Sequence, residues 1–209
     1  ELVLDQYESF NAFFTRKLVA GSRPFDSNPD AFCCPADGKV LVYPKLTDGT
    51  KLPVKGRSIS ISLLLASEDQ AGRYDEGSAL VVRLAPYDSH RFHFPDSGTV
   101  RPTRDIKRRY HIVNPLGLDT VPDAFIRNKR SVTVFDSERF GQVSYVEVGG
   151  FAVGTIVQTY TPGAVERGQE KGYFKFGGST LVLIFEPGRI VFDDDLVGDS
   201  KGGTEVQVK

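Results

Sequence analysis

Residues 171–188 read KGYFKFGGSTLVLIFEPG. The second half, Thr180–Phe185, is an unbroken run of apolar and β-branched residues, with Gly177–Gly178 before it and Pro187–Gly188 after it. Such a run, bounded by turn residues and too short for most helices, predicts a strand buried in a core. The glycine pair and the hydroxyl of Ser179 directly before it admit two readings. One is an ordinary turn with serine as its polar residue. The other is a place where the backbone itself reacts, because glycine resists neither attack on its carbonyl nor a strained turn.

Outward from this strand the same pattern recurs. KVLVYP (39–44), ALVVRLAP (79–86), SVTVFD (131–136), QVSYVEV (142–148), FAVGTIVQTY (151–160) and RIVF (189–192) are short runs separated by Gly, Pro, Asp and Asn. They predict many strands joined by turns, hence a mainly β fold with peripheral helices, of α+β class. An amphipathic helix is expected near the N-terminus, where Phe10, Phe13, Phe14 and Leu18 have helical spacing and Gly21 ends the pattern. Its role is packing on the body of the domain, or contact with a membrane interface. SISISLLLAS (58–67) and VPDAFIRN (121–128) read as short helices, the second with Pro122 in its first turn.

At 209 residues, with no linker-like segment, the chain fits one domain spanning 1–209. Hydrophobic residues at 40% supply a core, and 25% charged residues argue against a disordered or membrane-spanning chain. A net charge of −1 gives no field to gather nucleic acid. One basic cluster, Arg101, Arg104, Lys107, Arg108 and Arg109 around Asp105, reads as a solvated face, or else as a contact for anionic lipid headgroups. The apolar runs are far too short for a transmembrane helix. The chain starts at Glu1 without Met or a secretory signal, as expected of a fragment whose targeting segment lies upstream. Adjacent Cys33 and Cys34, the only cysteines, offer no disulfide framework and suit a reducing compartment; they read as small packing residues.

Two of the three histidines, His90 and His93, stand in APYDSHRFHFPDSG (85–98), just beyond a predicted strand. Histidine is the side chain most readily set for proton transfer near neutral pH, although one among aromatics is often only structural. Asp37 precedes Gly38 and another strand, as a turn carboxylate or as an acid that orients a histidine. Asp37, His93 and Ser179 could then form an acid, base and nucleophile set. From residue types alone this set is weak, and the Gly-x-Ser-x-Gly elbow is absent because Leu181 replaces its last glycine. A serine hydrolase using the triad uncut, and a zinc-binding module on His90, His93 and Asp37, are the rival readings.

Several blocks in order resemble the phosphatidylserine decarboxylase family. They are FNAFFTRKLVAGSRP (10–24), PADG (35–38), HRFHFPDSG (90–98), IVNP (112–115), FIRNKRSVTVFDSERFG (125–141), GYFKFGGSTLVLIFEPG (172–188) and FDDDLVGDS (192–200). GGST replaces a commoner Leu-Gly-Ser-Thr, and Ser89 stands where the family usually has tyrosine. The resemblance implies a barrel-sandwich-like β domain and a pyruvoyl enzyme that makes its own cofactor, with no metal. Asp37 would orient His93, which deprotonates Ser179; the hydroxyl attacks the Gly178 carbonyl, an ester forms, and elimination and hydrolysis leave a pyruvoyl group at position 179. The pieces would be a β chain, 1–178, and an α chain, 179–209. The carbonyl group then accepts the electrons left by departing carbon dioxide, and His90 is the candidate donor of the returning proton, with His93 its competitor. The implied reaction converts phosphatidylserine to phosphatidylethanolamine in phospholipid biosynthesis, at a peripheral membrane contact. A free, for instance aromatic, amino acid is the alternative substrate, and a homodimer is left open.

Overall fold

A computed structural model of the chain describes residues 7–106, 129–149, 156–176 and 179–209. The first element is the helix α1 (Phe10–Phe14), followed by strands β1 (Gly38–Tyr43), β2 (Lys51–Val54) and β3 (Arg57–Ser60). Two short helices, α2 (Ile61–Leu65) and α3 (Glu68–Gly72), lead to β4 (Ser78–Leu84), β5 (Arg91–His93), β6 (Gly98–Val100) and β7 (Arg104–Ile106). Then come β8 (Arg130–Ser137), β9 (Gly141–Val148), β10 (Ile156–Gln158), β11 (Gly163–Val165), β12 (Glu170–Phe174) and β13 (Ser179–Phe185). Helix α4 (Asp194–Lys201) and β14 (Val206–Val208) end the chain.

The opening stretch decides the architecture as its pattern predicts. Every residue of β13 is buried, and the strand lies inside a nine-stranded antiparallel sheet of order β11-β6-β8-β9-β13-β4-β1-β14, with β7 beside β8. Strand alternation divides its side chains between two cores. Leu181, Leu183 and Phe185 face a core completed by Phe14, Phe92, Phe94 and Phe174, whereas Val182 and Ile184 face one completed by Leu52, Ile59, Leu64 and Tyr74. A strand covered on both faces has no solvent side, which is why its sequence shows no polar alternation. The first core lies under α1 and a three-stranded sheet, β10-β12-β5; the second lies under the β2–β3 hairpin with α2 and α3. The fold is thus mostly β with short peripheral helices. No sheet among the described residues closes into a barrel.

Three local expectations need correction. The N-terminal helix spans only Phe10–Phe14, not the whole run to Gly21. Arg91 takes the carbonyls of Thr15 and Arg16, at 2.8 and 3.1 Å, and the chain leaves the helix to run over β5. In SISISLLLAS the first residues are strand β3, and only Ile61–Leu65 is helical, capped by Ser60 and closed by Ala66 at φ 50°. RIVF is not a strand: among the described residues no neighbour pairs with it, Arg189 folds back toward Glu186, and Val191 is 93% exposed. The helix expected at 121–128 lies outside the described residues.

Candidate active site

Ser179 opens β13 opposite Leu84, the last residue of β4, and is 2% exposed. The alternation that sends Leu181 and Leu183 to the first core puts Ser179 on the same face. That face carries β5 and α1: Phe92 of β5 and Phe14 of α1 enter its core, His90 packs on Phe14, and His93, next to Phe92 in β5, points away from the core. Gly178, the expected partner in bond cleavage, lies outside the described residues, as does Gly177.

After β4 the chain makes a tight turn. Asp88 N–H donates to the Ala85 carbonyl at 2.9 Å, and the Asp88 carboxylate accepts from Ala85 N–H at 2.8 Å and from Gln207 at 3.2 Å. The turn delivers His90 to the interior, 1% exposed, with its ring centroid 3.6 Å from that of Phe14. Nδ1 of His90 lies 3.0 Å from the Asp88 carbonyl, which can only accept. Nδ1 therefore carries the hydrogen, and Nε2 of the neutral ring keeps its lone pair. Burial pushes the His90 pKa down to about 4, and the cationic Arg16 and Lys55 act in the same direction. His90 is neutral at physiological pH.

His93 ends β5, its backbone N–H bonded to the Pro35 carbonyl at 2.9 Å and its ring 5.9 Å from that of Phe25. Burial lowers its pKa, while Glu170, the Pro35 carbonyl and Asp37 pull the other way. Asp37 is buried just before β1, and both its oxygens are taken by Arg23, at 3.0 Å from Nε and 3.1 Å from Nη2. Such a bidentate fork holds the carboxylate firmly. No hydrogen bond joins Asp37 to His93; the carboxylate acts on the ring through space. Gly38 fixes this corner, because at φ 156° a Cβ there would meet the Arg83 carbonyl oxygen at 2.8 Å.

Asp37 and His93 line one cavity of about 460 Å³, with Arg23, Cys34, Ser89 and Glu170. Ser179 lines a second, also about 460 Å³, with Thr180, Pro86, Lys55, Arg83 and Glu205. The structure thus brings acid and histidine together at one cavity and places the serine at another, the loop 85–90 contributing Ser89 to the first and Pro86 to the second. Arg23 and Lys55 were not singled out from sequence, and Phe14 was read only as part of an amphipathic helix, not as a neighbour of a histidine. The Lys55–Gly56 pair was a legible turn signal, and the other two become visible only in contact.

The remaining candidates are accounted for by structure. Arg101 pairs with Asp136 and Arg104 donates to the Leu65 carbonyl, so these two serve the protein itself; Lys107, Arg108 and Arg109 lie outside the described residues. Burial pushes the Cys34 thiol up to about 12, which keeps it protonated. Among the described residues no group of three or more His, Cys, Asp or Glu side chains is placed to hold a metal ion.

The phosphatidylserine decarboxylase family profile matches residues 10–208. A phosphatidylserine decarboxylase proenzyme of Ruminiclostridium cellulolyticum is 43% identical over 209 residues, covering 100% of this chain and 70% of the relative. One of Clostridium botulinum is 44% identical over 206 residues, covering 98% and 70%. One of Chlamydia trachomatis is 44% identical over 207 residues, covering 99% and 69%.

Proposed function

Because the chain belongs to the phosphatidylserine decarboxylase family, we propose that the Ser179 end of β13, with His90 packed on the same core and His93 at the neighbouring cavity, is its catalytic centre. The protein is a pyruvoyl-type carboxy-lyase that converts phosphatidylserine to phosphatidylethanolamine and matures from a proenzyme by cutting itself. The observation that carries the assignment of the centre is a serine, 2% exposed, opening a wholly buried strand on the face whose core includes Phe14, against which the ring of His90 packs.

The surroundings of Ser179 fit a group made from that residue. The pairing of 179–185 with β4 on one side, and of 180–185 with β9 on the other, anchors position 179 in the sheet. Once formed, the pyruvoyl group supplies an electron sink for the pair left by departing carbon dioxide.

In self-processing, His93 accepts the proton of the Ser179 hydroxyl, and the nearby charge of Asp37 favours the protonated ring. The bond cut is Gly178–Ser179, and the pieces are 1–178 and 179–209, parts of one catalytic domain. In decarboxylation, the bare Nε2 of neutral His90 takes the proton that the substrate ammonium must lose. The same nitrogen returns a proton to the substrate carbon after carbon dioxide leaves. A base of low pKa gives its proton back readily. The lipid arrives over exposed Phe10, Tyr87 and Phe176, the first and last packed edge to face at 4.8 Å, in a peripheral contact with the membrane. No described helix is long and apolar enough to cross one.

Intact mass and a carbon dioxide assay with short-chain phosphatidylserine test the assignment. Wild-type protein should appear as two pieces, the 31-residue one capped by a carbonyl. Ser179→Ala and His93→Ala should remain one folded chain. His90→Ala should be cut but lose roughly 100-fold or more in kcat, the scale of a general acid–base contribution. A His90→Ala chain that stays whole would reverse the division of labour between the histidines.

A further inference from the structure

The β2–β3 hairpin turns on two residues, Lys55 at φ 54° and Gly56 at φ 73°. Turns of this kind favour Asn, Asp and Gly, so lysine here holds an unfavourable left-handed backbone. Its side chain is half-buried and lines the cavity that holds Ser179. Among the described residues it has no hydrogen-bond acceptor and no carboxylate partner. Burial alone shifts its pKa, down to about 8. Its neighbours there differ: Arg83 is paired with Glu205, and Lys39 lies close enough to Glu205 to lower its pKa. A strained, partly desolvated and unpartnered ammonium beside the reacting residue is costly for folding, and an arriving anion would satisfy it.

We propose that Lys55 is the anion subsite of this enzyme, gripping the headgroup phosphodiester of the lipid substrate. This rests on the decarboxylase reading of the same site. The headgroup offers two anions, and the chemistry selects between them. A cation fixed on the carboxylate stabilises a charge that disappears in the transition state, which opposes the reaction. The charge of the phosphodiester persists from substrate to product, so a grip there positions the headgroup without resisting loss of carbon dioxide. Binding of this uniform kind appears in KM.

The test compares matured wild type, Lys55→Met and Lys55→Arg on short-chain phosphatidylserine. Loss of one charge-assisted contact should raise KM roughly 10- to 100-fold in Lys55→Met. The fall in kcat/KM should be carried mainly by KM, and Lys55→Arg should recover most of it. Glycerophosphoethanolamine, which has the phosphodiester and no carboxylate, should inhibit wild type and lose its effect on Lys55→Met. Free serine, which has the carboxylate and no phosphate, should inhibit both alike.

The kcat/KM of wild type should also decline as pH rises through about 8, with that limb absent in Lys55→Arg. Among the described residues, the other charged or titratable groups facing this cavity are Lys39 on β1, Arg83 on β4 and Glu205 before β14, with His90 near enough to feel Lys55; none of them ordinarily titrates between pH 7 and 9. An unchanged KM, a loss confined to kcat, or loss of serine inhibition alone overturns the proposal. Should Lys55→Met fail to mature, the pH limb of wild type against Lys55→Arg decides it. A wild type that releases no carbon dioxide from phosphatidylserine would instead overturn the reading of the site on which the proposal rests.

Discussion

His90 shows how one buried side chain ties stability to chemistry. Its ring, sealed against Phe14, titrates at about 4 in the folded chain, against 6.5 ordinarily. Between these values the unfolded chain binds a proton that the folded chain refuses, so this residue makes stability fall as pH drops from 6.5 toward 4. The whole effect is on the order of 3 kcal/mol. In the uncut Ser179→Ala protein, His90→Gln should lack this contribution to the slope. Urea midpoints of the two proteins should converge, or cross in favour of glutamine, on going from pH 7 to pH 4.5. Parallel midpoints would mean that His90 is not held neutral by burial. The same seal keeps Nε2 bare at neutral pH, which is what the proposed proton shuttle needs.

Among the elements, the joint between the two larger sheets is polar. Lys171 of β12 reaches across the first core to Glu147 of β9 at 2.5 Å, and also to Thr133 of β8 and Gln158 of β10, all beneath Tyr145 and Tyr160. Burial pushes the Glu147 pKa up and the Lys171 pKa down, and each charge counters the shift of the other. Removing only the lysine leaves a carboxylate buried without its counter-charge. Lys171→Met should cost about 3–5 kcal/mol, and adding Glu147→Leu should restore much of the loss, as read from urea unfolding of the uncut chain. The β1–β4 contact is tight in another way. Gly38→Ala must push β1 off the Arg83 carbonyl, at about 1–3 kcal/mol, and should slow self-cutting because Asp37 rides on the same corner.

For the whole molecule, cutting before Ser179 separates covalently what the sheet keeps together. The short piece holds β13, α4 and β14, paired or packed with β4, β9 and β1 of the long piece. The matured protein should therefore elute as one folded species in native gel filtration and separate only under denaturant. Separation under native conditions would mean that β13 depends on its upstream connection. The sequence by itself determined the β class, the strand at 180–185 and the serine before it, because apolar runs, turn residues and ordered motif blocks are local properties. It misplaced RIVF, which has the composition of a strand but no pairing neighbour among the described residues, and overextended α1, just beyond whose end Arg91 from a distant segment takes the carbonyls of Thr15 and Arg16. Only the tertiary structure decided that Asp37 is gripped by Arg23, that His90 lies under Phe14, and that Lys55 of a remote hairpin lines the cavity of Ser179. Those facts depend on which segments meet in space, and no local pattern encodes a meeting between residues so far apart along the chain.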